Sequence, residues 1–265
     1  MRSRTALSAL AVSVLLVSCA AVNVKLPLQL RAANGRFSVQ VTRQLLSEAR
    51  NSNVPIASLT GADLARIDSL LPGPPTTVTL TVGNPDQILP VTGTSGFTDP
   101  ESGAITIGLY SSWSDEPPDV TRWLARTLAR QVSHSVRITT GPGFGTTLLD
   151  QLVSEGIATA FDQSAFPGPP DPWAGELSSR QECQQWRQLK PLTRRAGLYS
   201  QVMTGGAVSR AVFGESTMPL LTGLAVGYHI VADYLAAHRG VTWSELATTP
   251  GRTVYAESGY APCSA

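Results

Sequence analysis

The chain has 265 residues, a net charge of +1 and a hydrophobic fraction of 42%. A charge this close to neutral gives no indication of a nucleic-acid partner, and the length favours one domain with a real core over two small ones. Beyond the first residues, no segment is long and apolar enough to predict a membrane span, so partners must be inferred from individual sites.

The N-terminus has the composition of an export signal. Two arginines precede an apolar and small stretch at 6–17, which is too short for a stable membrane-spanning helix. Cys19 then stands where the lipobox of bacterial lipoproteins has its lipidated cysteine; ordinary secretory cleavage is the alternative. We expect a lipoprotein signal peptide at 1–18, a tether at 19–36, and an exported chain anchored in the membrane of the bacterial cell envelope by lipid on Cys19.

Residues 37–265 are predicted to form a single domain that begins with a small sheet. Segment 37–50 starts with the alternation of a strand and ends with helical spacing, and 61–71 has helical spacing. The polar stretch 95–103 is predicted to be a turn between two strands. Alternation with a period of two predicts strands at 76–82, 87–93 and 103–110.

After Pro118 the pattern becomes helical. Asp119 is a suitable N-cap for a helix at 120–137, and a second apolar helix is predicted at about 146–161. The four prolines of "FPGPPDPW" predict a loop, because they exclude both helix and ladder hydrogen bonds. The chain is therefore predicted to be α+β, with a small N-terminal sheet followed by a mostly helical C-terminal part. Further helices are predicted at 175–189, 195–205, 219–238 and 242–247.

Two cysteines remain once Cys19 is assigned to lipidation. Cys183 and Cys263 are an even pair in an oxidising compartment, which predicts a disulfide between them. The bridge would close a long loop and stabilise the fold by about 4 kcal/mol in the chain-entropy model. Two unpaired buried thiols are the alternative.

The segment "RQVSH" has the spacing of a zinc-protease signature without its residues. Such a site needs two histidines four residues apart on one helix face, a glutamate beside the first that takes a proton from metal-bound water, and a third ligand from a later helix. Here the three positions hold Arg130, Gln131 and His134, and Glu155 follows on the next predicted helix.

With its flanks, this segment resembles a bacterial family of predicted zinc-dependent proteases, a zincin-like domain of unknown function with a His-Glu-x-x-His motif followed by Glu-Gly. The likeness continues through "TTLLDQLVSEGIATAF" at 146–161, a helix rich in glycine and tyrosine within 212–238, and "LATTPGRTVYAESGY" at 246–260. The resemblance implies a zincin-like fold of the gluzincin type, with His134 and Glu155 as the second and third metal ligands.

Two replacements separate this chain from the family pattern. Arg130 replaces the first histidine, and its guanidinium has no lone pair to give to zinc. Gln131 occupies the general-base position and does not titrate near neutral pH. We therefore expect no catalysis of the family's kind and no resident cofactor, with His134 and Glu155 left as remnant ligands. An ion pair from Arg130 to Glu155 is the predicted substitute for the metal.

Two functions follow from these residues. The first is a non-catalytic lipoprotein of the cell envelope, whose former substrate cleft can still hold a peptide or protein by pairing along a sheet edge. The alternative is an active zinc metallopeptidase, in which His134, Glu155 and His229 rebuild the metal centre. The glycines of "TGPGFGTT" at 140–147 suggest a phosphate loop, but no Lys-Ser or Lys-Thr follows, so a turn is predicted there.

Overall fold

The computed structural model of the chain is an α+β fold that begins with a mixed sheet and continues as a mostly helical C-terminal part. The predicted signal peptide, Cys19, the Asp119 cap and most of the predicted strand 87–93 lie outside the residues that it describes. Within the described residues, no helix combines the length and apolar character needed to cross a bilayer. The described residues are 28–52, 54–83, 92–110, 120–175, 177–204 and 221–263.

A five-stranded sheet forms the N-terminal part. In chain order its strands are β1 (Leu28–Ala32), β2 (Phe37–Val41), β3 (Thr76–Val82), β4 (Thr94–Thr98) and β5 (Ile105–Leu109). Their spatial order is β1-β2-β3-β5-β4; the three central strands are parallel, and β1 and β4 are antiparallel edges. Alternation buries one face of each central strand, as in β2, where Phe37, Val39 and Val41 are buried.

The sheet is larger than the sequence predicted. The predicted tether boundary at residue 36 is wrong, because β1 already pairs with β2 from Leu28 onward. Asn34 and Gly35, within the predicted tether, make the tight turn between these strands, with φ of 54° and 93°. The predicted turn at 95–103 is also wrong in its first half, since residues up to Thr98 belong to β4. As an edge strand, β4 lacks the regular apolar alternation that would have identified it.

Nine α-helices are seen in the described part of the chain. Both helices predicted around the site are present, and each extends a few residues beyond its predicted C-terminal end. The last helix was not predicted; Pro250 is its N-cap residue, which agrees with the tolerance of helix starts for proline. The helices are α1 (Arg43–Asn51), α2 (Ile56–Leu70), α3 (Val120–Thr140), α4 (Leu148–Ala165), α5 (Ser179–Leu189), α6 (Tyr199–Thr204), α7 (Thr222–Ala237), α8 (Trp243–Thr248) and α9 (Gly251–Ser258).

The core consists of two apolar clusters that meet at α4, which contributes residues to both. The first lies between the sheet and the apolar faces of α1, α2 and α3. The second surrounds α4 and α7 and includes Trp173 and Trp186. The predicted disulfide is confirmed: Cys183 of α5 is joined to Cys263, which ties the C-terminal end of the chain to the second cluster. Because α3 and α4 carry the candidate site, that site lies where the two clusters meet.

The contact between α4 and α7 depends on two glycines. A Cβ atom on Gly227 would lie 2.1 Å from the carbonyl oxygen of Leu152, and one on Gly156 would lie 2.0 Å from the carbonyl oxygen of Gly227. Both neighbours are backbone atoms, so a side chain at either position must push the helices apart. Small residues here are therefore a requirement of packing.

We expect Gly227→Ala to lower the free energy of unfolding by about 1–3 kcal/mol, the usual cost of overpacking a core. Gly61→Ala, within α2, is the matched control, because a Cβ atom there meets nothing within 4 Å. That control should raise stability by about 0.5–1 kcal/mol through helix propensity. Denaturant unfolding of both variants measures the difference, and equal effects would contradict the proposed helix contact.

Candidate functional site

The site is built from the facing sides of α3 and α4. Arg126, Arg130 and His134 follow one another at four-residue spacing, which puts them on one face of α3. On α4, Glu155 and Asp162 are seven residues apart and share one face for the same reason. His134 is opposite Glu155 and Arg130 is opposite Asp162, so the two helices run antiparallel. A basic face of α3 therefore meets an acidic face of α4.

Arg130 is held by two aspartates. Its Nε and Nη2 donate to Oδ2 of Asp162 at 3.1 and 2.8 Å, and Nη2 also donates to Oδ2 of Asp171 at 3.0 Å. The guanidinium lies 4.3 Å from the centre of the Trp173 ring. The predicted ion pair between Arg130 and Glu155 is wrong. The antiparallel packing puts Arg130 opposite Asp162, which lies two turns after Glu155 on α4.

Asp171 links Arg130 to a second buried arginine. Arg126 donates from Nη1 to Oδ1 of Asp171 at 2.8 Å and from Nε and Nη2 to the carbonyl of Phe166. The side chains of Arg126 and Asp171 are 1% and 0% exposed, so neither charge is solvated by water. Two arginines and two aspartates thus form one closed ionic network, called here the Arg–Asp network: Arg126, Arg130, Asp162 and Asp171.

Electrostatics within the Arg–Asp network favour a charged Arg130. Burial by itself would lower the pKa of this guanidinium, but Asp162, Asp171 and Glu155 together raise it above its ordinary value. Burial raises the pKa of Asp162 well above its usual range; Arg130 opposes this shift and Asp171 adds to it. The arginine is therefore a fixed positive charge where the signature would place a neutral imidazole.

His134 and Glu155 form a second pair beside this network. His134 Nε2 lies 3.4 Å from Glu155 Oε2, and the hydroxyl of Tyr199 donates to Oε1 of the same carboxylate. Although burial would raise the pKa of Glu155, His134, Tyr199 and Arg130 together lower it. Burial and the adjacent Glu155 raise the pKa of Tyr199, so it remains a neutral donor. The ring of Phe144 packs against His134, with ring centroids 5.1 Å apart.

Gln131 faces the sheet. Its Oε1 accepts a hydrogen bond of 2.8 Å from the hydroxyl of Thr98, and its side chain covers Gly96 so closely that a Cβ atom there would lie 2.7 Å from Gln131 Cγ. The general-base position of the signature is therefore occupied by an amide that is hydrogen bonded to the edge strand β4.

A cavity of about 550 Å³ opens over these residues. One wall is β4, and the opposite wall is the polar face of α3 and α4 with Tyr199 from α6. Phe97 of β4 lines the cavity and is 60% exposed. The candidate site is thus a cleft between a sheet edge and a buried ionic network.

His229 lies elsewhere. Its Nδ1 is 2.6 Å from Glu182 Oε1, and its Nε2 is 3.1 Å from the carbonyl oxygen of Ala174. The structure therefore does not bring His229 to His134 and Glu155, and its proposed role in a rebuilt metal centre is wrong. Both ring nitrogens are used in joining α7 to α5 and to the turn after Trp173.

Four residues of the site were not found from the sequence: Arg126, Asp162, Asp171 and Tyr199. Asp162 could have been found, because it is two helical turns from Glu155 and a buried Arg130 requires an acidic partner. Asp171 lies in the proline-rich loop, and Tyr199 begins a short helix far along the chain. No local pattern connects the latter two with α3.

The residues present do not fit a zinc site of the signature type. Among the described residues, no group of three or more histidine, cysteine, aspartate or glutamate side chains is placed to hold a metal ion. His134 and Glu155 offer two donors, Arg130 offers none, and Gln131 is not a base. In addition, Nδ1 of His134 is buried without a hydrogen-bond partner in the described structure, whereas a metal-ligating histidine normally donates from its second nitrogen.

Fold and site together define an α+β protein in which the layout of a helix-borne metal site is occupied by ion pairs. A sequence model of the family described as "Predicted Zn-dependent protease (DUF2268)" matches residues 56–255. The match spans most of the chain, and the protein belongs to this family. Comparison with curated proteins and with solved structures found no match. Zinc is therefore implied by the family and not by the side chains found in this chain.

Proposed function

We propose that this protein is a non-catalytic, zincin-like member of its family, which binds extended peptide segments in the cleft beside β4. The observation that carries the proposal is the Arg–Asp network, in which Arg130 is neutralised by Asp162 and Asp171 at the position of the first metal ligand. A site whose positive charge is already part of the protein has no electrostatic need for a metal ion.

The general-base position supports the same proposal. Hydrolysis by this class of site requires a carboxylate that takes a proton from water, and the amide of Gln131 has no titratable proton in the relevant range. Its hydrogen bond to Thr98 also directs it toward β4. Glu155 does not replace it, because that carboxylate is already paired with His134 and Tyr199.

The edge of β4 supports peptide binding. Asp99 N donates to Ala104 O next to the β4–β5 ladder, so the odd-numbered residues of β4 direct their backbone groups toward β5. Gly96 and Thr98 then direct theirs outward, and within the described residues no strand pairs with this edge. An extended chain can bind there by adding a strand, which requires no metal.

The cellular setting of the proposal is the bacterial envelope. It rests on the export signal and on Cys19 as a lipidated residue, because several acyl chains give firm membrane attachment. A peptide-binding protein attached in this way would act on chains that pass the membrane surface.

Gly96→Pro is expected to weaken the binding of fluorescein-labelled casein, a model extended chain, by about tenfold, because proline removes an outward N–H donor that a bound strand would use. Gly96→Ala is the matched control: it makes the same close contact with Gln131 but retains the N–H group. Fluorescence anisotropy measures binding, and release of labelled fragments measures cleavage.

The proposal predicts that the natural chain and Gly96→Ala bind the labelled casein without cutting it. Equal binding by Gly96→Pro would exclude the edge of β4 as the binding surface. Cleavage that a chelator abolishes, and that His134→Ala also abolishes, would contradict the non-catalytic proposal.

A further inference from the structure

A second cavity, of about 880 Å³, lies at the far end of α3. It is enclosed by the loop at 141–147, the turn at 190–194 and the start of α9. Four cationic side chains line it, and Asp150 is the one carboxylate in its wall: the cations are Arg137, Lys190, Arg194 and Arg252. None of these charged residues lines the cleft proposed to bind peptide.

Arg137 is the innermost of these cations. It is 1% exposed, and its Nη1 donates to the carbonyl oxygens of Ala247 and Thr249 at 3.0 and 2.9 Å. Its Nε is buried without a hydrogen-bond partner, and no carboxylate of the described chain forms an ion pair with it. The contrast with Arg126 is direct, because that equally buried arginine is paired with Asp171.

An unpaired buried charge is costly unless a counter-charge compensates it. Burial lowers the pKa of Arg137 to about 10, and the charge of Asp150 opposes this shift. Arg137 therefore remains protonated at neutral pH and stays positive beside the open cavity. An anion in that cavity, which Arg137 lines, would supply the missing counter-charge.

The turn that carries Lys190 and Arg194 is held in place by backbone hydrogen bonds. The N–H groups of Leu148 and Leu149 donate to the carbonyls of Arg195 and Thr193 at 2.8 and 3.0 Å. These bonds satisfy the first N–H groups of α4, so the helix terminus itself offers no free donors. Their effect is to fix the 190–195 turn at the rim of the cavity. In the described structure, Lys190, Arg194 and Arg252 are exposed and form no ion pair.

We infer that this cavity binds a phosphate group, with Arg137 as the buried anchor and Lys190, Arg194 and Arg252 around it. The four cations and the one carboxylate of the cavity wall leave a large net positive charge. A ligand with one carboxylate group would neutralise only part of that charge. A phosphate group carries more negative charge and offers several acceptor oxygens. The loop at 140–147 contributes shape: Gly143 and Gly145 have φ of 74° and 82°, and both line the cavity. No Lys-Ser or Lys-Thr follows this loop, but the fold brings cations to it from other elements.

The inference is tested with inorganic phosphate, at constant ionic strength set with chloride. Phosphate should raise the midpoint of thermal unfolding, and calorimetry should detect a single site. Arg194→Gln combined with Arg252→Gln should weaken phosphate binding by about tenfold or more, since each removes a charge-assisted contact. Arg187→Gln, an exposed arginine outside the cavity, is the control and should leave binding unchanged.

Arg137→Gln separates a binding role from a structural one. Glutamine can still donate to a carbonyl, but it has no charge. The readout is the increase in unfolding temperature that phosphate causes, and not the unfolding temperature itself. This increase should disappear in Arg137→Gln if the arginine anchors the anion.

A phosphate group can come from a free ion or from a lipid headgroup. A second experiment measures flotation of the protein with vesicles that contain equal parts of phosphatidylglycerol and phosphatidylcholine. Every variant also carries Cys19→Ser, so that the N-terminal segment contributes equally to membrane binding. Binding of phosphate alone identifies a free anion, and vesicle binding that is lost with Arg194 and Arg252 identifies a headgroup. The inference would be overturned if the protein bound neither phosphate nor vesicles, or if no arginine substitution affected the binding. The outcome is independent of peptide binding at β4.

Discussion

Asp171→Asn is expected to lower the free energy of unfolding by about 3–5 kcal/mol, the usual cost of breaking a buried ion pair by removing one partner. Asp171 is fully buried and accepts hydrogen bonds from both Arg126 and Arg130. Asparagine has nearly the same shape but no charge, so the two buried guanidinium groups would lose the carboxylate that they share. Chemical denaturation at neutral pH measures this effect.

Asp63→Asn is the matched control, and its effect should have the opposite sign. Burial raises the pKa of Asp63 to about 6 from an ordinary value of 3.8, with no opposing charge. At neutral pH the charged carboxylate therefore destabilises the folded chain, and asparagine should add about 1 kcal/mol after allowance for solvent screening.

The advantage of Asp63→Asn should shrink as the pH falls from about 6 toward 3.8, because the folded natural chain then binds the proton before the unfolded chain does. If Asp171→Asn proved no more harmful than this control, the Arg–Asp network would not be the feature that joins α3 to α4.

Arg130→His combined with Gln131→Glu is expected to create zinc binding. The introduced histidine would be four residues before His134 and on the same helix face, with Glu155 already opposite. Asp162 would remain beside the introduced imidazole and could orient it, as carboxylates do for metal-bound histidines. Zinc affinity should rise by more than about a hundredfold, because even an indirect partner of a ligand contributes 10–100-fold.

Arg126→His combined with Gln131→Glu is the control for this restoration. It also replaces one buried arginine of the Arg–Asp network, but it puts the histidine one turn too far from His134 to share a metal ion. Competition with a chromogenic chelator gives both affinities. Equal affinities in two folded variants would mean that the loss of the metal centre cannot be attributed to Arg130 and Gln131.

Much of the fold follows from local pattern. The threonine-rich alternation of β3 and the apolar stripes of α3 and α4 predicted those elements, because buried faces impose a period on the sequence. The edge strands β1 and β4 were missed: β4 has no regular apolar alternation, and the short alternation of β1 leaves Leu28 exposed at the edge of the sheet. The disulfide followed from the number of cysteines and their compartment.

The candidate site could be predicted only in part. The spacing of Arg130, His134 and Glu155 indicated a common site, and the structure does bring His134 to Glu155. The true partners of Arg130 depend on the antiparallel packing of two helices and on a loop that carries Asp171 back to them. That arrangement is tertiary, so no periodicity along the chain records it.

The most direct test is the zinc content of the purified natural chain, measured by elemental analysis against protein concentration. With a guanidinium in the first ligand position, the protein should contain far less than one zinc ion for each chain, and added zinc should be removed by a mild chelator. Close to one tightly bound zinc ion for each chain, lost on His134→Ala, would contradict the proposal that ion pairs have replaced the metal.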